Sequence, residues 1–228
     1  MEGYKIIKEY GSILERSALF EGICLSDMEA MLGCLGAECS VFGKGELVFR
    51  RGECVPEIAL LLEGMIHIQK EDYWGNMTIL SEVTPGELFG EVYACLGGAR
   101  IAHSAAAVKK SAVLFLDAAR VLRLCPAACP FHGTLVRNLV SVLAQKNRTL
   151  TRKIEHMSQR TTREKLLSYL SEQSLRAGND SFDIPFNRQQ LADYLAVDRS
   201  AMSSELGKMQ REGILEFHRN HFVFKNPS

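Results

Sequence analysis

The spacing of apolar residues changes once along this chain, and that change restricts the folds open to it more than any other feature. From Val41 to Leu116 the apolar segments are short and interrupted by glycines, at Gly43, Gly45, Gly52, Gly64, Gly75, Gly86, Gly90, Gly97 and Gly98. Within them Met65–Lys70 alternates with period two, which puts Ile66 and Ile68 on one face. Trp74-Gly75-Asn76 has the composition of a hairpin turn leading into Met77–Leu80, and Val113–Leu116 that of a buried strand. Short strands at regular spacing predict a small barrel, sandwich or roll. From about Phe131 the glycines thin out and a helical period takes over. Val136, Leu143, Leu150 and Met157 stand seven residues apart, with Leu139, Val140 and Ile154 between them. This pattern predicts a helix of about 25 residues with an apolar seam, which a second copy of the same helix would cover. Residues 10–39 also read as helical, with Ser26 placed to cap a helix carrying Met28, Met31, Leu32 and Leu35.

The chain has 228 residues, 46% of them hydrophobic and 24% charged. That composition builds cores; it excludes a disordered chain, a collagen-like chain and a disulfide-dense miniprotein, and the length favours two domains. No apolar run approaches the ~18 residues of a membrane span, and the polar N-terminus Met1–Lys5 lacks a signal-peptide core. The expected location is therefore the cytoplasm, with no membrane partner. Seven cysteines without a C-x-x-C pair fit free thiols in a reducing compartment. Cys125 and Cys129, followed by His132, come nearest to metal-ligand spacing and to a redox pair, but no second pair accompanies them.

Formal net charge is zero, yet the charges are unevenly divided. Residues 1–133 hold twelve Lys and Arg against seventeen Asp and Glu, a net of −5; residues 134–228 hold fifteen against ten, a net of +5. A basic C-terminal part points to an anionic partner, with nucleic acid first.

That part also contains a helix-turn-helix pattern. Ser158–Arg160 breaks the long seam, and Thr161 and Glu164 have capping-box spacing ahead of Leu166, Leu167 and Leu170. Asn187 can cap a short helix, 188–195; a tight turn follows at Ala196-Val197; Asp198 can cap a second helix, 199–212, which Gly213 ends. Leu191, Leu195, Val197, Met202 and Leu206 can meet inside the bend. The outward face of the second helix is short and polar: Arg199, Ser200, Ser203 and Ser204, with Lys208 one turn on. Such a face can enter a major groove, where Arg199 can pair bidentately with guanine. Ser200 and Ser204 would add weaker bonds, and Arg188, Ser203 and Lys208 would hold phosphates. Leu215–Phe217 and Phe222–Phe224 read as a β-hairpin wing.

With these pieces in view, the chain from about Leu19 to Phe224 resembles the Crp/Fnr family of bacterial transcription regulators. The resemblance is carried by Phe42–Glu53, Leu62-Glu63-Gly64, Pro85–Glu91, Arg163–Leu170 and Asn187–Met202. It implies an α+β chain: an N-terminal double-stranded β-helix (jelly-roll-like) effector domain over 1–130, a dimerisation helix over 131–157 and a winged helix-turn-helix DNA-binding domain over 158–228. The implied partners are double-stranded DNA, a second copy bound through residues 134–157, and RNA polymerase. In cyclic-nucleotide-binding relatives, a glutamate after Phe-Gly holds the ribose and an arginine before Ser-Ala clamps the phosphate. Glu91 matches the glutamate and Ser104-Ala105 the Ser-Ala pair, but His103 stands at the arginine position, with Arg100 three residues earlier. An imidazole lacks the guanidinium fork, so the expected effector is a small molecule other than cyclic AMP. Leu150 and Thr151 fall where relatives touch the ligand's base. Cys24, Cys34 and Cys39 lack the close spacing of an iron–sulfur site, and no cofactor is assigned. Haem, with His67, His103 or His132 as ligands, stays open as an alternative, as do a thiol switch and a plain cyclic-nucleotide-binding regulatory protein. The last of these lacks a winged helix. An enzyme on a cupin-like barrel would need a histidine and carboxylate cluster, and the roll offers only His67 and His103.

Overall fold

A computed structural model describes residues 2–71, 77–97, 99–123 and 131–225. The expected hairpin turn at 74–76, Gly98, Cys125 and Cys129 lie outside the described residues. The chain divides into two compact units, Met1–Ala144 and Gln145–Ser228.

The first unit opens with helix α1 (Glu2–Arg16), a 3₁₀ turn (Ala18–Phe20) and helix α2 (Leu25–Cys34). Helix α2 is capped two residues before the expected Ser26, at Cys24: the Asp27 and Met28 amides donate to the Cys24 carbonyl, so Ser26 lies inside the first turn. Eight strands follow: β1 (Glu38–Phe42), β2 (Leu47–Phe49), β3 (Glu57–Glu63), β4 (Ile66–Glu71), β5 (Met77–Val83), β6 (Leu88–Phe89), β7 (Ser104–Ala107) and β8 (Ser111–Asp117). Helix α3 (Glu91–Cys95) sits between β6 and β7, and helix α4 (Ala118–Leu122) follows β8. The first strand begins at Glu38 rather than Val41, because Glu38 and Cys39 pair with Phe115 and Leu114 across the ladder.

The strands form two four-stranded antiparallel sheets, ordered β1-β8-β3-β6 and β2-β7-β4-β5. Side chains on a strand alternate between faces, and β3 and β8 use both. Ile58, Leu60, Leu62, Leu114 and Leu116 join a core with Leu14, Phe20, Met28, Leu32, Val121, Leu135 and Leu139 from the helices. Ala59, Leu61, Val113 and Phe115 instead join Phe49, Ile66, Phe89, Ile101 and Ala105 in a second core drawn from both sheets. Burial on both faces explains why β3 and β8 read as continuous apolar runs.

Helix α5 (His132–Met157) is a single run of 26 residues. Its Leu135 and Leu139 are buried in the first unit's core, whereas Val140, Leu150, Ile154 and Met157 are exposed. The second unit continues with α6 (Thr162–Ala177), β9 (Ser181–Asp183), α7 (Arg188–Leu195), α8 (Arg199–Arg211), β10 (Leu215–His218) and β11 (His221–Phe224). Its core gathers Leu166, Leu170, Leu191, Leu195, Met202, Leu206, Met209, Leu215 and Phe222. The expected Thr161–Glu164 capping box forms, and the Asn187 cap proves to be a capping box too, closed by Gln190. Among the described residues no helix is long and apolar enough to cross a membrane.

Candidate nucleic-acid interface and effector site

Helices α7 and α8 are joined by three residues. Ala196 takes a left-handed conformation, φ 50°, and the Val197 amide donates to the Ala192 carbonyl at 3.0 Å. This short connection turns the chain sharply enough to bury Leu191 and Leu195 with Met202 and Leu206. Met202, Leu206 and Met209 recur at helical spacing and face inward, so Arg199, Ser200, Ser203 and Ser204 are left exposed on the first two turns of α8. Asp198 caps the helix: its Oδ1 accepts from the Ala201 amide at 2.8 Å and from the Ser200 hydroxyl. These bonds hold the Asp198 carboxyl below the usual carboxylate range.

Arg199 makes no ion pair or hydrogen bond among the described residues, since Asp198 is taken by its own cap and Glu205 by Arg163 and Lys208. Lys208 lies 3.4 Å from Glu205 Oε2 and stays half-exposed. Arg163 on α6 reaches both Glu212 and Glu205, which fixes α6 against the far part of α8.

Arg188 stands apart from the α8 set. It opens α7 with its guanidinium carbon 4.5 Å from the Phe217 ring centroid and 5.1 Å from that of Phe222. Its Nη2 is buried without a hydrogen-bond partner, and burial lowers its pKa. The wing is a three-stranded sheet, β10-β11-β9. Strand β9 went unpredicted; it pairs Phe182 with Phe222. At the wing tip Arg219 is exposed at φ 54° and carries no ion pair among the described residues. It is a cation that the sequence reading passed over, marked only by its place in a two-residue turn between His218 and His221.

The effector residues expected from sequence fall into two groups. Glu91, His103 and Ser104 belong to the first unit. Glu91 is buried in the first turn of α3, directly after Gly90 at φ 76°. A Cβ at Gly90 would stand 2.7 Å from Phe49 Cε2, so only glycine lets the chain pass this close to the inter-sheet core. Ser104 opens β7, and its Oγ accepts from the Arg51 amide at 3.1 Å. His103, just before it, is half-buried. Arg100 donates to the Gly52 carbonyl at 2.7 Å while its side chain stays exposed. Leu150 and Thr151 belong to the second unit, on α5; Leu150 is exposed, and the Thr151 hydroxyl donates to Asn147 Oδ1 at 3.2 Å.

Of the haem-ligand candidates, His132 is buried with Nε2 2.8 Å from the Val121 carbonyl, and His67 Nε2 lies 3.3 Å from Glu82 Oε2. Both imidazoles have structural partners. Cys24, Cys34, Cys39, Cys54 and Cys95 are free thiols.

Comparison with known proteins agrees with this geometry. The cyclic nucleotide-binding domain family matches residues 40–127, and the Crp-like helix-turn-helix domain family matches residues 164–228. The chain is 25% identical over 206 residues to a cyclic AMP receptor protein of Thermus thermophilus, covering 89% of each. It is 25% identical over 186 residues to the nitrogen fixation regulation protein FixK of Bradyrhizobium diazoefficiens, covering 76% of this chain and 72% of the relative. In fold it is similar to the c-di-GMP responsive global regulator CLP of Xanthomonas campestris. There the TM-score is 0.56 at 16% identity, covering 89% of this chain and 99% of that one. These relatives are regulators rather than enzymes. With a cyclic nucleotide-binding-type roll followed by a Crp-type helix-turn-helix, this chain belongs to the Crp/Fnr family of transcription regulators.

Proposed function

We propose that the protein is a homodimer that reads an inverted-repeat promoter site through α8 and answers to a small effector other than cyclic AMP. The observation that carries the DNA reading is the unpaired Arg199 in the first turn of α8. Recognition helices contact base edges with residues of that turn, and a free guanidinium there keeps its donors for a guanine. Ser200 and Ser204 add weaker bonds, while Arg188, Ser203 and Lys208 hold phosphates and set the register. Arg219 is a further phosphate contact from the wing.

The dimer reading is supported by an apolar face of α5 that is exposed at Val140, Leu150, Ile154 and Met157 and half-buried at Val136 and Leu143. Val136, Val140, Leu143, Asn147, Leu150, Ile154 and Met157 follow a continuous spacing of four and three. The positions then alternate between β-branched residues (Val140, Ile154) with one asparagine (Asn147), and Leu143, Leu150 and Met157. This is the pattern that favours two parallel strands, with a buried asparagine fixing register. Residues 1–130 would then serve as effector domain, 131–157 as dimerisation helix and 158–228 as reading head, with RNA polymerase as the downstream partner. For the effector, His103 in place of an arginine argues against cyclic AMP, while Glu91, His103, Ser104, Leu150 and Thr151 remain the proposed contacts.

A binding selection from random duplex DNA tests this function. The expected result is an inverted repeat with half-site centres about 34 Å apart, one helical turn. A selected single half-site, or no enrichment, would overturn it.

A further inference from the structure

The second unit contains a cavity of about 480 Å³ that no DNA contact uses. Its walls come from α5 (Arg148, Arg152), α6 (Tyr169, Glu172, Arg176) and the start of the helix-turn-helix (Phe186, Tyr194). Three aromatic rings make one side. Tyr169, Phe186 and Tyr194 lie with centroids 5.0–6.0 Å apart. Neither tyrosine hydroxyl makes a hydrogen bond among the described residues, and neither is buried without a partner. Both therefore have donors to offer.

The charged side is unbalanced. Three guanidiniums face one carboxylate. Glu172 lies 3.2 Å from Arg152, contacts Arg176, and accepts at 2.8 Å from His156 Nε2, whose Nδ1 is 2.8 Å from the Ser168 hydroxyl. Arg148 is exposed and unpaired among the described residues. The carboxylate is fully committed, and the local charge remains positive. Guanidinium forks recognise carboxylate and phosphate oxygens, and aromatic walls take planar rings. The volume falls within the range of about 300–1,000 Å³ typical of small-molecule sites.

We infer that this cavity binds a small organic anion with a planar ring, of about mononucleotide size, its anionic group on Arg148 and its ring against Tyr194 and Phe186. The walls come from the helix that carries the apolar stripe and from the first helix of the helix-turn-helix, so an occupant would tie the two together. Any effect on DNA affinity rests on the proposed function; binding itself does not.

Calorimetric titration of the full-length protein without DNA tests it. The probes are adenosine 5′-monophosphate for a ring with phosphate, indole-3-acetate for a ring with carboxylate, and inorganic phosphate for the anion alone. At least one ring-bearing probe should bind more tightly than inorganic phosphate. Arg148→Gln, a change at an exposed helix position, should weaken that binding roughly tenfold or more. Tyr194→Phe, which keeps the ring, should weaken it less. No heat from either ring-bearing probe would overturn the inference. So would unaltered binding in Arg148→Gln, or equal affinity for inorganic phosphate. Because DNA is absent, failure here leaves the DNA-binding reading to its own experiment.

Discussion

The guanidinium carbon of Arg188 lies 4.5 Å from the centre of the Phe217 ring, so the first residue of the helix-turn-helix is packed against the wing. The contact holds a cation in place but leaves its Nη2 buried and unpaired. An unpaired buried donor costs about 1–3 kcal/mol, more when charged. A phosphate oxygen would relieve that cost on DNA. Arg188→Met should therefore leave thermal stability equal or higher, since an apolar group removes the orphan donor. The same change should weaken DNA binding at every sequence and lower the salt slope by about one. Thermal melts and filter-binding at several salt concentrations measure both. A large loss of stability with unchanged DNA affinity would make Arg188 a structural residue.

Arg199 and Lys208 should behave differently although both lie on α8. Arg199→Ala should cost roughly 1–3 kcal/mol on the selected site and relax preference at one base pair per half-site. Lys208→Ala should weaken all sequences alike and flatten the salt dependence, because it removes a phosphate contact. Repeating the selection with each variant distinguishes them. An unchanged motif from Arg199→Ala would remove it as the base reader.

Much of this reading head was legible because its signals are local. Thr161 and Glu164 are three residues apart and Asn187 directly precedes its helix, so the capping box of α6 and the cap of α7 can be read from the chain alone. Alternation in β4 and the apolar run of β8 are equally local. Strand β9 escaped because three residues carry no period, and its partner β11 begins 38 residues after its last residue. β1 was read three residues late because Glu38, Cys39 and Ser40 are exposed, so nothing apolar marks its start. The ring cage around Arg188 and the cavity below Tyr194 join residues from separate elements. No spacing rule connects Arg148 with Tyr194, or Arg188 with Phe217.

The α5 stripe gives a prediction about assembly. Leu143→Glu with Leu150→Glu would set like charges against each other in a dimer, and sedimentation velocity should then show monomers. Asn147→Leu should instead keep or raise association but lose the unique two-stranded state, giving larger oligomers. A wild-type protein that sediments as a monomer at micromolar concentration would refute the dimer.

Cyclic AMP should give no isotherm in the micromolar range, because His103 cannot make the bidentate phosphate contact of an arginine. Titration of wild type and His103→Arg checks this, with tighter binding expected only for the variant. Micromolar binding to wild type would refute the prediction. Arg100→Ala would then ask whether Arg100, now on the Gly52 carbonyl, serves as the clamp.

Acid should loosen the reading head through its caps. Asp198 is held below its ordinary pKa by the Ser200 hydroxyl and the Ala201 amide, and Glu164 by bonds within the Thr161 box. A carboxylate whose pKa falls on folding stabilises the fold above its unfolded pKa, about 4 for these groups. That contribution disappears as pH drops through the lower folded value. Wild type should thus lose thermal stability progressively below about pH 4. Asparagine caps as well as aspartate, and glutamine can close the box in place of glutamate, yet neither titrates. Asp198→Asn with Glu164→Gln should melt close to wild type at pH 7 and decline less as pH falls, so that it melts above wild type near pH 3. Melts monitored by far-ultraviolet circular dichroism from pH 7 to pH 2.5 give the comparison. An identical acid slope in the double variant would mean that other carboxylates, such as Glu212 on Arg163, dominate acid unfolding.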